Sequence, residues 1–63
     1  MNGQRLKSLR EEAGLTLEAF GQEFGLSASM VAHMERGNKT PSVEIVKKIA
    51  KRFNVTVDEL VND

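Results

Sequence analysis

Cysteine, tryptophan and tyrosine are absent from these 63 residues, proline and histidine occur once each, and the formal net charge is zero. Each gap closes off a class of explanation. Without cysteine there is no disulfide scaffold, and one histidine cannot supply any of the usual zinc-ligand spacings. The lack of thiols suits a cytosolic protein better than a small secreted one. No apolar run approaches the roughly 20 residues needed to span a bilayer. The opening MNGQRLKSLREEAGL lacks the continuous apolar stretch of a signal peptide. A soluble, cytoplasmic protein without metal or cofactor is expected. Nine Lys and Arg balance nine Asp and Glu, so nothing global draws the chain to nucleic acid, and only a local basic patch could. No nucleophile–base pair, carboxylate dyad in a plausible cleft or cofactor motif stands out, so no enzyme is expected.

What is present is helical periodicity. Residues 1–63 make one small domain, and a chain this short buries only about 60% of its unfolded surface. Few residues favour strands, and the chain reads as an all-α fold of five helices. The first runs from about Asn2 to Ala13, with Leu6, Leu9, Arg10 and Ala13 inward and Gly14 as its stop. Thr16 caps the second, which ends at Phe24 before Gly25. Ser27 caps the third, which Gly37 terminates. Thr40 is expected to cap the fourth helix with Pro41 at its first position. There Ile45, Val46, Ile49, Ala50 and Phe53 form one apolar stripe, and Asn54 ends it. Thr56 and Glu59 have the spacing of a capping box opening a last short helix around Leu60.

Residues 17–36 read as two short helices joined by a glycine corner. Phe20 and Phe24 share one helical face, as do Val31 and Met34. Gly25 can take the left-handed conformation the corner requires, and Gly21 would let the second helix of the pair approach closely. This is a helix-turn-helix unit, which presents its second helix outward, ready for a DNA major groove.

The chain resembles the lambdoid phage repressor and Cro family of bacterial helix-turn-helix domains. The likeness runs through Arg5-Leu6-Lys7 and Arg10, Gly14-Leu15-Thr16, the motif's apolar and glycine positions, Glu35-Arg36-Gly37, Pro41-Ser42, Lys48-Ile49-Ala50 and Val55 to Leu60. The resemblance implies a structural pair between Arg10 and Glu35. The physical reading agrees, because a charge on an apolar stripe needs a partner and an arginine fork suits a carboxylate.

The resemblance turns Ser27, Ala28, Ser29, Ala32 and His33 toward base edges, whereas family members often carry longer hydrogen-bonding side chains there. The exposed positions of the third helix are expected to be Ala28, Ser29, Ala32, His33 and Arg36, with Met30 inward. Ser29 can bond any base, and the alanines offer only methyl contact. His33 reads either as a base or phosphate contact or as a solvated surface residue.

Phosphate contact is assigned to Thr16, Leu17, Arg10, Arg36, Asn38, Lys39, Thr40 and Ser42, with the backbone N–H groups that open helices two and four; Arg5 could add charge. Leu17 stands where the family commonly has a glutamine that binds phosphate and braces the recognition helix, and leucine does neither. It reads either as peripheral core or as an apolar patch with Ala28 and Ala32, the first preferred because single exposed leucines are normal. Lys47, Lys48, Lys51 and Arg52 read as a solvated face, ion-paired through Glu44 and Lys48.

Val55, Val57 and Val61 are the candidate dimer contact; their plainer role is to close the core. The expectation is a sequence-specific DNA-binding regulator of bacterial or phage type, repressor-like, engaging a palindromic operator as a weak homodimer. The alternative is a protein-interaction module on the same fold. Ending at Asp63, the chain is expected to be either a complete small regulator or the DNA-binding part of a longer repressor.

Overall fold

The computed structural model describes residues 1–62; Asp63, the last residue of the expected domain, lies outside the described residues. The elements are α1 (Gly3–Glu12), α2 (Leu17–Phe24), α3 (Ala28–Glu35), α4 (Val43–Phe53) and α5 (Val57–Val61). No strand occurs among the described residues, and the fold is all-α.

A short polar side chain opens every helix. Asn2, Thr16, Ser27, Ser42 and Thr56 each accept a hydrogen bond from the backbone N–H three residues on. Each such cap contributes about 1 kcal/mol. Gly25 (φ 71°) and Asn54 (φ 56°) close α2 and α4 in the left-handed conformation.

Four expectations about these helix ends need correction. Helix α4 is capped by Ser42 and starts at Val43, not by Thr40 with Pro41 in the first turn. Ser42 Oγ accepts from the Ile45 amide at 3.4 Å, and Thr40 and Pro41 remain in the connecting loop. Both pairs satisfy helix-start chemistry, but proline steers the residue before it toward extended backbone and does not oblige a helix to begin. Asn2 caps α1 instead of forming its first turn, and Ala13 is an exposed C-cap instead of part of the inward stripe. At α5 only half the capping box forms. Thr56 accepts from the Glu59 amide at 3.1 Å, while the Glu59 carboxylate lies 3.5 Å from Arg5.

Leu6, Leu9, Phe20, Val31, Met34, Val46, Ile49, Ala50 and Leu60 form the buried core. Phe20 sits inside an aromatic group, 4.9 Å from Phe24 and stacked at 5.8 Å on Phe53. Met30 is half-buried at the edge, not fully inward.

The two chain ends are clasped. The Asn2 backbone N–H donates to the Leu60 carbonyl at 2.6 Å and its side chain donates to the Asn62 carbonyl at 3.2 Å. Beside it Gly3 is buried so tightly that a Cβ there would lie 2.0 Å from the Glu35 carbonyl oxygen. The start of α1 therefore abuts the last turn of α3, positive helix end against negative, an arrangement the helix dipoles favour. This contact sets the far end of α3 against the body of the fold.

Candidate nucleic-acid interface

The corner between α2 and α3 is fixed by backbone contact. The Leu26 amide donates to the Gly21 carbonyl at 2.8 Å, and a Cβ on Gly21 would meet the Leu26 carbonyl oxygen at 2.3 Å. Gly21 is thus needed against the turn itself, where the sequence suggested close approach of α3.

Behind α3 lies a polar anchor. Arg10 grips Glu35 with two bonds, Nε to Oε2 at 2.6 Å and Nη2 to Oε1 at 3.1 Å, and gives a third to the Leu15 carbonyl at 2.9 Å. Both side chains are largely buried, 13% and 8% exposed, so solvent screens the pair weakly. The hydrogen bonding that Arg10 donates to Glu35 raises the Arg10 pKa above its ordinary value and outweighs the opposing desolvation. Arg10 therefore joins α1, the α1–α2 connection and the end of α3. Three of its five N–H donors are committed to these acceptors.

The outward side of α3 carries short side chains. Ser29 and Arg36 are exposed, whereas Ala28, Ala32 and His33 are half-buried, more enclosed than the sequence suggested. Ser27 Oγ accepts from the Met30 amide at 3.0 Å, so its hydroxyl proton remains for an outside acceptor. Arg36 Nη2 lies 3.4 Å from His33 Nδ1, one helical turn apart.

Around α3 the other named groups are unequally placed. Thr16 caps α2 through the Ala19 amide at 3.0 Å, and Ser42 caps α4, each with its hydroxyl proton left over. Asn38, Lys39 and Thr40 are exposed on the loop after α3, and Lys39 has no ion pair among the described residues. Leu17 is half-buried and packs on the core cluster, which is the peripheral-core placement. Arg5 is drawn to Glu59 and away from this face.

The basic run on α4 is exposed, but Glu44 and Lys48 are not an ion pair among the described residues. Arg52 instead reaches Glu23 of α2 at 2.9 Å and lies 4.7 Å above the Phe53 ring. The pairing is between helices because α2 and α4 pack together and bring a carboxylate within the longer reach of arginine. Val55 and Val61 are half-buried against the core, whereas Val57 is 37% exposed. Val43, at the first position of α4, is 65% exposed.

The family model described as helix-turn-helix matches residues 6–60, nearly the whole chain. The chain belongs to the helix-turn-helix family. Its relatives place this member in the Cro and repressor group. It is 38% identical over 58 residues to YazB of Bacillus subtilis (strain 168), an uncharacterized HTH-type transcriptional regulator, covering 92% of this chain and 84% of that one. It is 33% identical over 64 residues to the HTH-type transcriptional regulator SinR of Bacillus licheniformis, covering all of this chain and 58% of SinR. Among solved structures, a complex of SinR protein with SinI protein superposes with TM-score 0.79 at 30% identity, over all of this chain and 62% of that one. The chain thus spans most of one relative and little more than half of the other. As a member of this family it is a DNA-binding regulator, not an enzyme.

Proposed function

We propose that residues 1–63 form a single DNA-binding domain, cytoplasmic, which engages a two-fold symmetric operator as a weak homodimer in a repressor-like manner. In this reading α3 enters the major groove with Ser27, Ala28, Ser29, Ala32 and His33 toward the bases. The openings of α2 and α4 hold phosphates through backbone N–H groups and the hydroxyls of Thr16 and Ser42. Leu17 contributes its backbone alone. Arg36, Asn38, Lys39 and Thr40 extend the phosphate contact beyond α3, and the two remaining donors of Arg10 stay close by. Val57, with Val55 and Val61 beside it, is the dimer contact, small enough that association is weak.

One observation carries this reading: an anchored α3 bears an outward face free of buried charge, with uncommitted hydroxyls and cations at its margins. Hydrogen bonding to bases is sparse on that face, so methyl contact, DNA shape and half-site spacing carry much of the specificity. An amide-shift titration with a pool of palindromic duplexes tests it. Shifts are expected at residues 27–36 and at the starts of α2 and α4. Fluorescence anisotropy that stays at background at low salt would sink the proposal.

A protein-interaction role on the same fold is the second reading. It is favoured by the short side chains of α3 and by the solved relative, a complex of SinR protein with SinI protein. It predicts a partner whose binding is lost on Leu17→Ser while the fold is kept.

A further inference from the structure

We infer that His33 is a specificity-determining residue that presents Nε2–H as a fixed donor to a guanine in each half-site, its tautomer set by Arg36. The inference rests on the operator reading above and adds to it the direction of one hydrogen bond. The decisive contact is Arg36 Nη2 to His33 Nδ1 at 3.4 Å. A guanidinium has five N–H donors, no lone pair to offer and no accessible neutral form. Whatever it bonds to must therefore accept. His33 Nδ1 must carry its lone pair, and in neutral imidazole the single proton then resides on Nε2.

The surroundings make that donor matter. The rest of the outward face offers the hydroxyls of Ser27 and Ser29, which rotate to suit whatever they meet, and the methyl groups of Ala28 and Ala32. His33 is thus the one directional group among them. It is also half-buried, which limits the ring's freedom to turn, while Arg36 is exposed and its other N–H groups are open to a duplex backbone.

A lone donor discriminates by what it meets in the major groove. Cytosine offers only a competing amino donor there. Adenine pairs its N7 acceptor with an adjacent amino group, and thymine shields O4 with a methyl. Guanine alone presents two neighbouring acceptors, N7 and O6. Arg36 acts as a positioning residue, with four N–H groups left for phosphate oxygens.

Two measurements test this. The first is a long-range proton–nitrogen spectrum of the free protein at about pH 8. It is expected to show the Nε2–H form of His33, and the Nδ1–H form would overturn the inference. The second selects duplexes from a randomised pool with the wild type and with His33→Ala, whose amide spectrum verifies its fold. The wild type is expected to prefer guanine at one position per half-site by about fivefold, the effect of a single neutral hydrogen bond. His33→Ala should lose that preference, and 7-deazaguanine at the same position should weaken the wild type alone. Equal base preference in both proteins would overturn the inference and leave the operator reading standing. No enrichment by either protein would overturn both.

Discussion

Arg10 and Glu35 show how one pair of side chains can hold a functional element in place. A charge on the inner stripe of α1 is tolerable because its partner and the Leu15 carbonyl take up its donors. Glu35→Gln leaves the guanidinium largely buried without its counter-charge and is expected to cost roughly 2–4 kcal/mol. A domain of this size has only about 3–9 kcal/mol in total. The urea midpoint should fall sharply, and Arg10→Met combined with Glu35→Leu should lose less than Glu35→Gln alone. The sign of the pH dependence follows from the raised Arg10 pKa. The pair's contribution through Arg10 is fully present below the ordinary arginine pKa and is lost only in strong alkali, as pH rises through the folded value. Stability contributed by Arg10 should therefore be flat from neutral to mildly alkaline pH in urea titrations. Gly3 gives a second residue-scale test. Alanine normally favours a helix by about 1 kcal/mol over glycine. Here its Cβ would press on the Glu35 carbonyl at 2.0 Å, so the steric term wins. Gly3→Ala should destabilise by roughly 1–3 kcal/mol in thermal melts.

At the scale of helices, the two ends of α4 behave differently under substitution. Ser42→Ala should lower stability by about 1 kcal/mol and Thr40→Ala by little, measured as urea midpoints, because only Ser42 receives an amide proton from the helix. Equal losses would restore the earlier helix start. Most of the helical architecture was legible because its signals are local: a short polar side chain before each apolar stripe, and Gly25 or Asn54 after it. Pro41 misled because two adjacent starts satisfy the same chemistry, and the choice between them depends on how Val46, Ile49 and Ala50 reach the core. Asn2 and Gly3 were not legible at all. Their partners are backbone carbonyls of Leu60, Asn62 and Glu35, and a carbonyl leaves no mark in a sequence. In the interface, the anchor could be read from a charge stranded on an apolar stripe. The Arg36–His33 contact could have been suspected from their spacing of one helical turn, yet spacing alone does not reveal which nitrogen accepts.

For the molecule as a whole, electrical neutrality and DNA binding have to be reconciled. The ion pairs divide the nine cations: Arg5, Arg10 and Arg52 answer to carboxylates, and of the six without such a partner among the described residues only Arg36 and Lys39 belong to the end of α3 and the loop after it. Binding by so few free charges should show a shallow salt dependence per subunit. Lys39→Ala is expected to weaken binding uniformly across duplex sequences and to lower the logarithmic salt slope by about 1, measured by anisotropy over a salt series. A slope unchanged by that substitution would remove Lys39 from the contact. The clasp at Asn2 bears on engineering rather than recognition. Since Asn2 already touches Leu60 and Asn62, a linker of a few residues could join the two ends, and a new opening could be cut in the exposed loop at residues 37–40. Such a circular permutant would carry fused cargo beside the tip of α3, in the loop that bears Asn38, Lys39 and Thr40, turning a tie between two stretches of chain into a choice of where a payload points.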